Sequence, residues 1–212
     1  MLLRRDLGKI GLHLKELDEA RDRVLELSRN ATRLSDQSIL QMHREDLEEA
    51  KKTLRMAENT IRKLNGLLAK SPELKHSGNV LTAYQEYGEA KLLLTLIAKR
   101  RVPSMGEVGV EPIPYLLGIL DFIGELRRLI LNYLRAGESN EAEETLEIME
   151  KIYHDVLSID HTAIIPTFRR KADVARKLVE TTRGDVVTEV RRMSLEKAIR
   201  SLEVHISSRV SK

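Results

Sequence analysis

The sequence predicts an all-α fold, and three observations lead to that prediction. Apolar residues recur in steps of three, four or seven over most of the 212 residues, which is the spacing of an amphipathic helix. No segment of useful length alternates apolar and polar residues with the period of two that a strand requires. The five prolines fall between or at the edges of the helical segments. We therefore expect a chain built from helices and short connections.

The first half of the chain contains three predicted helices. They cover residues 7–34, 36–69 and 79–101, and each carries an apolar stripe with helical spacing. Pro72 and Gly78 lie between the second and third helices and end the second one. The third helix includes the nearly continuous apolar run "LLLTLIA", so we expect it to lie centrally in the fold.

In the second half of the chain, the sequence predicts four further helical stretches, which follow a linker rich in proline and glycine. The predicted ranges are 115–136, 139–157, 167–183 and the amphipathic stretch 194–211. Pro114 precedes the first of these helices, where proline is tolerated, and Gly137 ends it. Gly184 is predicted to end the third. The sequence leaves open the role of the C-terminal tail, 194–212.

The composition is that of a globular chain, 42% hydrophobic and 33% charged, with a net charge of +3. The absence of cysteine excludes disulfides, thiolate metal sites and thiol nucleophiles. No apolar run approaches the roughly 18 residues of a membrane span, and the first residues lack the apolar core of a secretory leader. We therefore expect a cytoplasmic protein without a membrane segment, folded as a single domain over residues 1–212. The positive charge permits an anionic partner.

Two glycines inside the predicted helix 115–136 indicate a close packing contact. Gly118 and Gly124 each cost the helix about 1 kcal/mol relative to alanine. Close approach of a neighbouring backbone offsets that cost, and the neighbour is either another helix of the same chain or the same helix of a second subunit. The sequence leaves both alternatives open.

The segment "YQEYGEAKLLL" places two acids on an otherwise apolar helix face. Glu86 and Glu89 are one turn apart, and Leu93 continues the same stripe. Neither glutamate has a lysine or arginine three or four residues away, so the like charges cost the isolated helix roughly 0.2–0.5 kcal/mol. Carboxylates grouped in this way are hard oxygen ligands that suit Mg²⁺ or Mn²⁺. The alternative is an ordinary solvated acidic face.

Two more pairs share helical faces, and each has a structural explanation. Asp121 and Glu125 are four residues apart and share their stripe with Arg128, which favours an internal salt bridge. Asn140 and Glu144 are also four apart, at the start of a helix. Asn140 has the alternative role of an N-cap, with Glu143 completing a capping box.

Other catalytic arrangements are excluded by spacing. A carboxylate-bridged di-iron bundle needs two Glu-x-x-His motifs, whereas only Glu73 and His76 form one, in a stretch broken by proline. The six histidines do not show metal-ligand spacing, and the chain contains neither a phosphate-binding glycine-rich loop nor a nucleophile elbow.

Four segments stand in order along the chain: "ELSRNATRLSDQSILQMHRE", "YQEYGEA", "PYLLGILDFIGELRR" and "AGESNEAEETLEIMEKIYHDV". In this order they resemble the translin family and specifically its Trax (translin-associated factor X) branch. The second of them resembles the Gln-Glu-Tyr-x-Glu-Ala of Trax, whereas translin carries basic and aromatic residues there. The resemblance covers about residues 15–193 and is weak in the C-terminal tail.

The resemblance implies a seven-helix fold whose subunits assemble into a hollow octameric barrel. It also implies that RNA or single-stranded DNA binds inside the barrel, and for the Trax branch a Mg²⁺-dependent endoribonuclease. Two of the family's metal-binding carboxylates then fall on Glu86 and Glu89. The other two fall on Glu144 and position 140, and the latter departs from the pattern because Asn140 stands where Trax has aspartate.

An amide at position 140 is a neutral and weaker ligand, so metal affinity and cleavage should fall. The residue is either a natural departure that impairs or tunes the enzyme, or an engineered substitution that traps an uncleaved substrate. In either case Glu86, Glu89, Glu144 and Asn140 form the predicted catalytic and metal-binding set.

Arg29, Arg33 and Arg44 lie on the first segment that resembles the family and are predicted to contact RNA phosphates, although solvated surface arginines would have the same spacing. The alternative functions are a non-catalytic RNA- or single-stranded-DNA-binding barrel like translin, and a helical scaffold that only assembles with a partner.

Overall fold

The computed structural model describes residues 2–210, and over this range the chain forms seven α-helices connected by turns and two short 3₁₀ segments. The helices are α1 (Leu2–His43), α2 (Leu47–Leu68), α3 (Gly78–Lys99), α4 (Met105–Val108), α5 (Pro112–Ala136), α6 (Ser139–Leu157) and α7 (Phe168–Val210). The prediction of an all-α, seven-helix fold is confirmed. Residues 1, 211 and 212 lie outside the described range.

The first boundary between helices differs from the prediction, because α1 continues through Ser35 and ends only at His43. The Ser35 hydroxyl donates to the Ala31 carbonyl at 2.9 Å, so the residue at the predicted break is accommodated within the helix. The chain reverses instead at Glu45, which has a positive φ of 65°, and Asp46 caps α2 by accepting a hydrogen bond from the Glu49 amide.

The linker between the third and fourth predicted helices contains a short helix, α4, that we did not predict. Ser104 and Glu107 form a reciprocal capping box around it, and Gly109 ends it in the left-handed conformation. The Arg101 guanidinium hydrogen-bonds the Glu107 carboxylate at 2.9 Å, and together with the Ser104 bonds it lowers the pKa of Glu107 to about 2. The sequence Ser-Met-Gly-Glu carries the capping-box spacing, so the signal was present.

Two compact units divide the chain, Met1–Ile119 and Leu120–Lys212, and the boundary falls inside α5. In the first unit α1, α2 and α3 pack together around an apolar core. The central position expected for α3 is confirmed within this unit, since Val80, Leu92, Leu93 and Leu96 are among its buried residues. The prediction of a single domain over residues 1–212 stays a prediction.

The connection from α5 to α6 consists of two residues. Gly137 has a φ of 81°, its amide bonds the Leu134 carbonyl, and the Glu138 amide bonds the Tyr133 carbonyl at 2.9 Å. This pattern is a Schellman motif, which satisfies the last carbonyls of α5 and reverses the chain. The prediction that α5 ends at Gly137 is therefore confirmed, and α6 starts directly after Glu138.

The predicted break at Gly184 is wrong, because α7 continues from Phe168 through Gly184 to Val210 and includes most of the stretch predicted at 194–211. Thr182 and Val186 are buried on either side of the glycine. Arg127 donates to both the Thr182 hydroxyl and the Asp185 carboxylate, at 2.9 and 2.8 Å. A helical glycine costs only about 1 kcal/mol, so these contacts on both sides hold the helix together.

The ends of the two longest helices expose apolar side chains. The exposed residues at the start of α1 include Leu3, Leu7, Ile10 and Leu14, and those near the end of α7 include Leu195, Ile199, Leu202 and Ile206. Both sets are spaced by three and four residues, as on a helix face that packs on another helix. Within residues 2–210, no helix combines the length and the hydropathy that crossing a bilayer requires.

Candidate functional site

The acidic pair identified in the sequence lies on α3, within the first unit. Glu86 and Glu89 are one turn apart and each offers a carboxylate oxygen within 4.8 Å of the other. Glu89 is only 6% exposed, and Glu86 is half-buried. Removing a carboxylate from water is unfavourable unless hydrogen bonds, a proton or a cation compensate. The interpretation as an ordinary solvated acidic face is therefore wrong for Glu89.

A third carboxyl group from another helix joins this pair. The side chains of Asp36 on α1 and Glu86 share a hydrogen bond, in which one of the two carboxyl groups carries the proton. Partial desolvation raises the pKa of Asp36 above its ordinary value, and the hydrogen bond to Glu86 acts in the opposite direction. We did not single out Asp36 from the sequence. Its spacing from Ser28 and Thr32, eight and four residues, gives a polar stripe on α1, but sequence alone does not say what that stripe faces.

The close contact made by Gly118 explains how α5 approaches the turn of α3 that carries the acids. A Cβ atom at Gly118 would lie 3.0 Å from the Gln85 carbonyl oxygen and 3.5 Å from the Glu89 amide nitrogen. These are backbone atoms that cannot move aside cheaply, so a side chain at this position would strain the contact, and glycine avoids that strain. Of the two alternatives for this glycine, the packing contact within the chain is the one observed. A Cβ atom at Gly124 would lie 3.8 Å from the Leu178 side chain, which is an ordinary van der Waals distance.

The acids of α5 take part in ion pairs within the second unit. The Lys171 ammonium donates to both carboxylate oxygens of Asp121, at 2.5 and 2.7 Å. Glu125 lies 3.9 Å from Arg128, the partner expected from the sequence. The prediction of a salt bridge with Arg128 is thus confirmed for Glu125. Asp121 instead pairs with Lys171, which lies on α7.

Asn140 and Glu144 lie on the first turns of α6, also in the second unit, and both side chains are exposed. Asn140 is the second residue of the helix, and the N-cap position is occupied by Glu138. The alternative that Asn140 caps the helix with Glu143 is therefore wrong. The Schellman turn at Gly137 and Glu138 causes the difference, since it starts the helix earlier than a cap at Asn140 would allow.

The residues of α3 fit a hard divalent cation. Carboxylate oxygens are the donors that Mg²⁺ and Mn²⁺ prefer, and Glu86 and Glu89 present them close together beside a third carboxyl at Asp36. A cation at this place would neutralise charges that the fold brings together and would offset the burial of Glu89. The region is thus an acidic cluster with the chemistry of a metal site.

Beside this cluster lies a groove between α1 and α3, with a cavity of about 270 Å³. We call it the α1–α3 groove; its lining includes Ser28, Arg29, Thr32, Asp36, Asn79 and Thr82. Arg33 also lines the groove, so two of the three arginines predicted to bind RNA meet there. Arg44 is exposed just beyond the end of α1.

Comparison with known proteins agrees with this architecture. The model of the Translin family matches residues 19–182 of the chain. An uncharacterized protein of Methanocaldococcus jannaschii is 32% identical over 197 residues, which span 92% of this chain and 87% of that protein. Translin-associated protein X of Pongo abelii is 24% identical over 232 residues, which span 86% of this chain and 78% of that protein.

Solved structures with the same fold include two of the C3PO proteins. The AfC3PO–duplex RNA complex superimposes with a TM-score of 0.82 at 30% identity, covering 88% of this chain and 97% of that chain. Apo-NeC3PO gives a TM-score of 0.79 at 28% identity, covering 86% and 96%. The helical fold, the order of the motifs and the extent of these matches lead to one conclusion: the chain is a translin/Trax-like protein and belongs to the translin family.

Proposed function

We propose that this chain is a metal-dependent endoribonuclease of the translin/Trax type. The observation that carries the proposal is the buried carboxylate of Glu89, one turn from Glu86, whose side chain contacts Asp36. A fold gains nothing in stability by burying like charges together, so such a cluster favours a bound ion and a functional role. Within the family, the Glu-x-x-Glu pair resembles the catalytic branch.

The proposed ligands of the ion are Glu86 and Glu89, with Glu144 and Asn140 assigned by the resemblance.

The ion, Mg²⁺ or Mn²⁺, would neutralise the phosphate charge and activate water for hydrolysis of the phosphodiester. The protein's own residues position the reactants. The Asp36 carboxyl group lies beside that of Glu86, and the backbone contact between Gly118 and Gln85 holds the turn of α3 that carries both glutamates. An amide at Asn140 weakens the set, so we expect cleavage slower than an aspartate at this position would allow.

RNA is the proposed substrate, and single-stranded DNA is an alternative ligand that the same phosphate contacts would bind. The similar structure of AfC3PO in complex with duplex RNA supports the assignment. Arg29, Arg33 and Arg44 are the proposed phosphate contacts; all three are exposed on or just beyond α1, and the first two line the same groove as Asp36.

The proposed assembly is a homo-octamer that forms a hollow barrel, located in the cytoplasm. The exposed apolar residues at the ends of α1 and α7, such as Leu7 and Leu202, support association because apolar stripes of this length gain by packing on another helix.

The second candidate is a non-catalytic RNA-binding barrel. The observation that favours it is Asn140, the amide in a position where the resemblance calls for an acid. In that case the acidic cluster on α3 would be a remnant, and RNA would bind without being cut.

Incubation of the protein with labelled RNA in Mg²⁺, in Mn²⁺ and in EDTA separates these functions. The endoribonuclease predicts internal cuts with either metal and intact, bound RNA in EDTA. Binding without cleavage in all three buffers would establish the second candidate, and the absence of binding would leave only a scaffold. Light scattering tests the assembly, with about 194 kDa expected for eight copies of the 24.2 kDa chain.

A further inference from the structure

The α1–α3 groove has a polar floor that the proposed metal site does not use. Ser28 is 1% exposed and its hydroxyl oxygen lacks a hydrogen-bond partner among residues 2–210. Two other buried serines of α1 are satisfied: Ser35 donates to the Ala31 carbonyl and Ser38 to the Ala50 carbonyl, both at 2.9 Å. The Ser28 hydroxyl does not make the hydrogen bond that Ser35 makes to the carbonyl one turn earlier in the helix. A buried hydroxyl without a hydrogen bond destabilises the fold, which indicates that a ligand supplies the partner.

Apart from Asp36, which contacts Glu86, the rest of the groove divides into a cationic and a neutral part. Arg29 and Arg33 are exposed along one side, and guanidinium groups bind phosphate oxygens through paired hydrogen bonds. Thr82 and Asn79 lie on α3, the latter in the first turn, where the helix dipole favours an anion.

The size of the groove limits what it accepts. Its volume of about 270 Å³ is slightly below the roughly 300–1,000 Å³ of typical small-molecule sites, so a sugar and one phosphate fit better than a whole nucleotide with its base. Hydroxyl groups in the groove match a partner that both donates and accepts hydrogen bonds. The ribose 2′-hydroxyl is such a group, and it is the atom by which proteins distinguish RNA from DNA.

We propose that the α1–α3 groove binds one ribose-phosphate unit of an RNA strand, with the phosphate on Arg29 and Arg33 and the 2′-hydroxyl on Ser28 and Thr82. This inference rests on the proposed function, since Asp36 links the groove to Glu86 and thereby places the unit next to the cleavage site. The groove makes the protein select RNA over DNA before any chemistry takes place.

The test measures binding of an RNA oligonucleotide and of DNA with the same sequence in EDTA, so that neither strand is cut. The wild type is expected to bind RNA more tightly. Ser28→Ala and Thr82→Ala should each weaken RNA binding about fivefold, which corresponds to one hydrogen bond, and leave DNA binding unchanged. A walk of single 2′-deoxy substitutions through the RNA should show one sensitive position in the wild type and none in Ser28→Ala.

Stability without RNA provides an independent measurement. Ser28→Ala should raise Tm, because it removes a buried hydroxyl without a partner, whereas the matched variant Ser35→Ala should lower Tm, because it breaks a hydrogen bond, and should keep the preference for RNA.

Three outcomes would overturn the assignment of the groove. They are an unchanged RNA preference in both Ser28→Ala and Thr82→Ala, equal losses for RNA and DNA, and an effect of Ser35→Ala as large as that of Ser28→Ala. If the wild type binds RNA but neither Ser28→Ala nor Thr82→Ala has an effect, only the groove is wrong. If the wild type binds neither strand, the proposed function fails together with it.

Discussion

The resemblance to the translin family assigns two pairs of residues, one on α3 and one on α6, to a single metal site. The two pairs have similar spacing on their helices, but their surroundings differ. On α3, Glu89 is buried and Glu86 half-buried, with Asp36 hydrogen-bonded to the latter. On α6, Asn140 and Glu144 are exposed near the start of the helix. A spacing of three or four residues places side chains on one face in both cases, but only packing decides whether that face is dry.

The difference indicates how the two sets would contribute to cleavage. A buried carboxylate gains much from a cation, because the ion removes a repulsion that water does not screen. An exposed acid or amide is already solvated by water, so it contributes less to the binding of a metal ion. Loss of the α3 pair should therefore have the larger effect, and changes on α6 should adjust an activity that the α3 pair makes possible.

The largest expected effect comes from replacing both α3 acids, Glu86→Gln with Glu89→Gln. The cleavage rate in Mg²⁺ should fall by more than about 100-fold. Mutation of residues that only hydrogen-bond to metal ligands already lowers metal affinity or activity by about 10- to 100-fold, and these two residues are proposed as the ligands themselves. The free energy of unfolding without metal should rise by roughly 0.5 kcal/mol, because a like-charge pair is removed. Cleavage assays and urea unfolding measure the two quantities.

The matched control is Glu16→Gln with Glu19→Gln, which removes two exposed acids three residues apart on α1. It should cleave RNA at the parental rate. Parental cleavage by the α3 double variant would show that the site lies elsewhere in the chain.

The next effect in size is a gain from Asn140→Asp. If position 140 contributes to the metal site, a full charge should tighten Mg²⁺ binding and raise the rate about tenfold, which requires only about 1.4 kcal/mol of transition-state stabilisation. The free energy of unfolding should rise by about 0.3–1 kcal/mol in any case, because the acid lies in the first turn of α6. The measurement is the RNase rate as a function of Mg²⁺ concentration.

Ser139→Asp separates the charge at position 140 from a charge anywhere in the first turn. It should stabilise α6 to a similar extent and leave the rate unchanged. Superimposable Mg²⁺ curves for the parent and Asn140→Asp would remove position 140 from the metal site.

The smallest effect concerns the pH dependence of stability at Asp36. Desolvation raises the pKa of Asp36, so the protonated carboxyl group favours the folded state. This stabilisation is complete below pH 3.8, the ordinary pKa of an aspartate, and is lost as the pH rises through the raised pKa. Asp36→Asn should therefore stabilise the protein at pH 7. The gain should be about 0.5 kcal/mol or less, because solvent screens a side chain that is partly exposed, and it should vanish near pH 3. Urea unfolding at the two pH values measures it, and a gain of equal size at both would contradict the raised pKa.

Sequence periodicity predicted most helices but placed two boundaries wrongly. The break expected at Ser35 and the one expected at Gly184 both fall inside continuous helices. In each case a contact distant in the sequence holds the helix together where local propensity would allow an interruption. The Ser38 hydroxyl donates to the Ala50 carbonyl, and Arg127 binds Asp185.

The sequence by itself determined the all-α class, the family and the acidic face of α3, because these depend on local spacing and on motifs such as the one containing Glu86 and Glu89. Only the tertiary structure decided that Glu89 is buried, that Asp36 approaches from α1, and that Gly118 lies against the Gln85 carbonyl. The physical reason is that burial and hydrogen bonding between helices depend on which faces meet, and helical periodicity defines a face without specifying its neighbour.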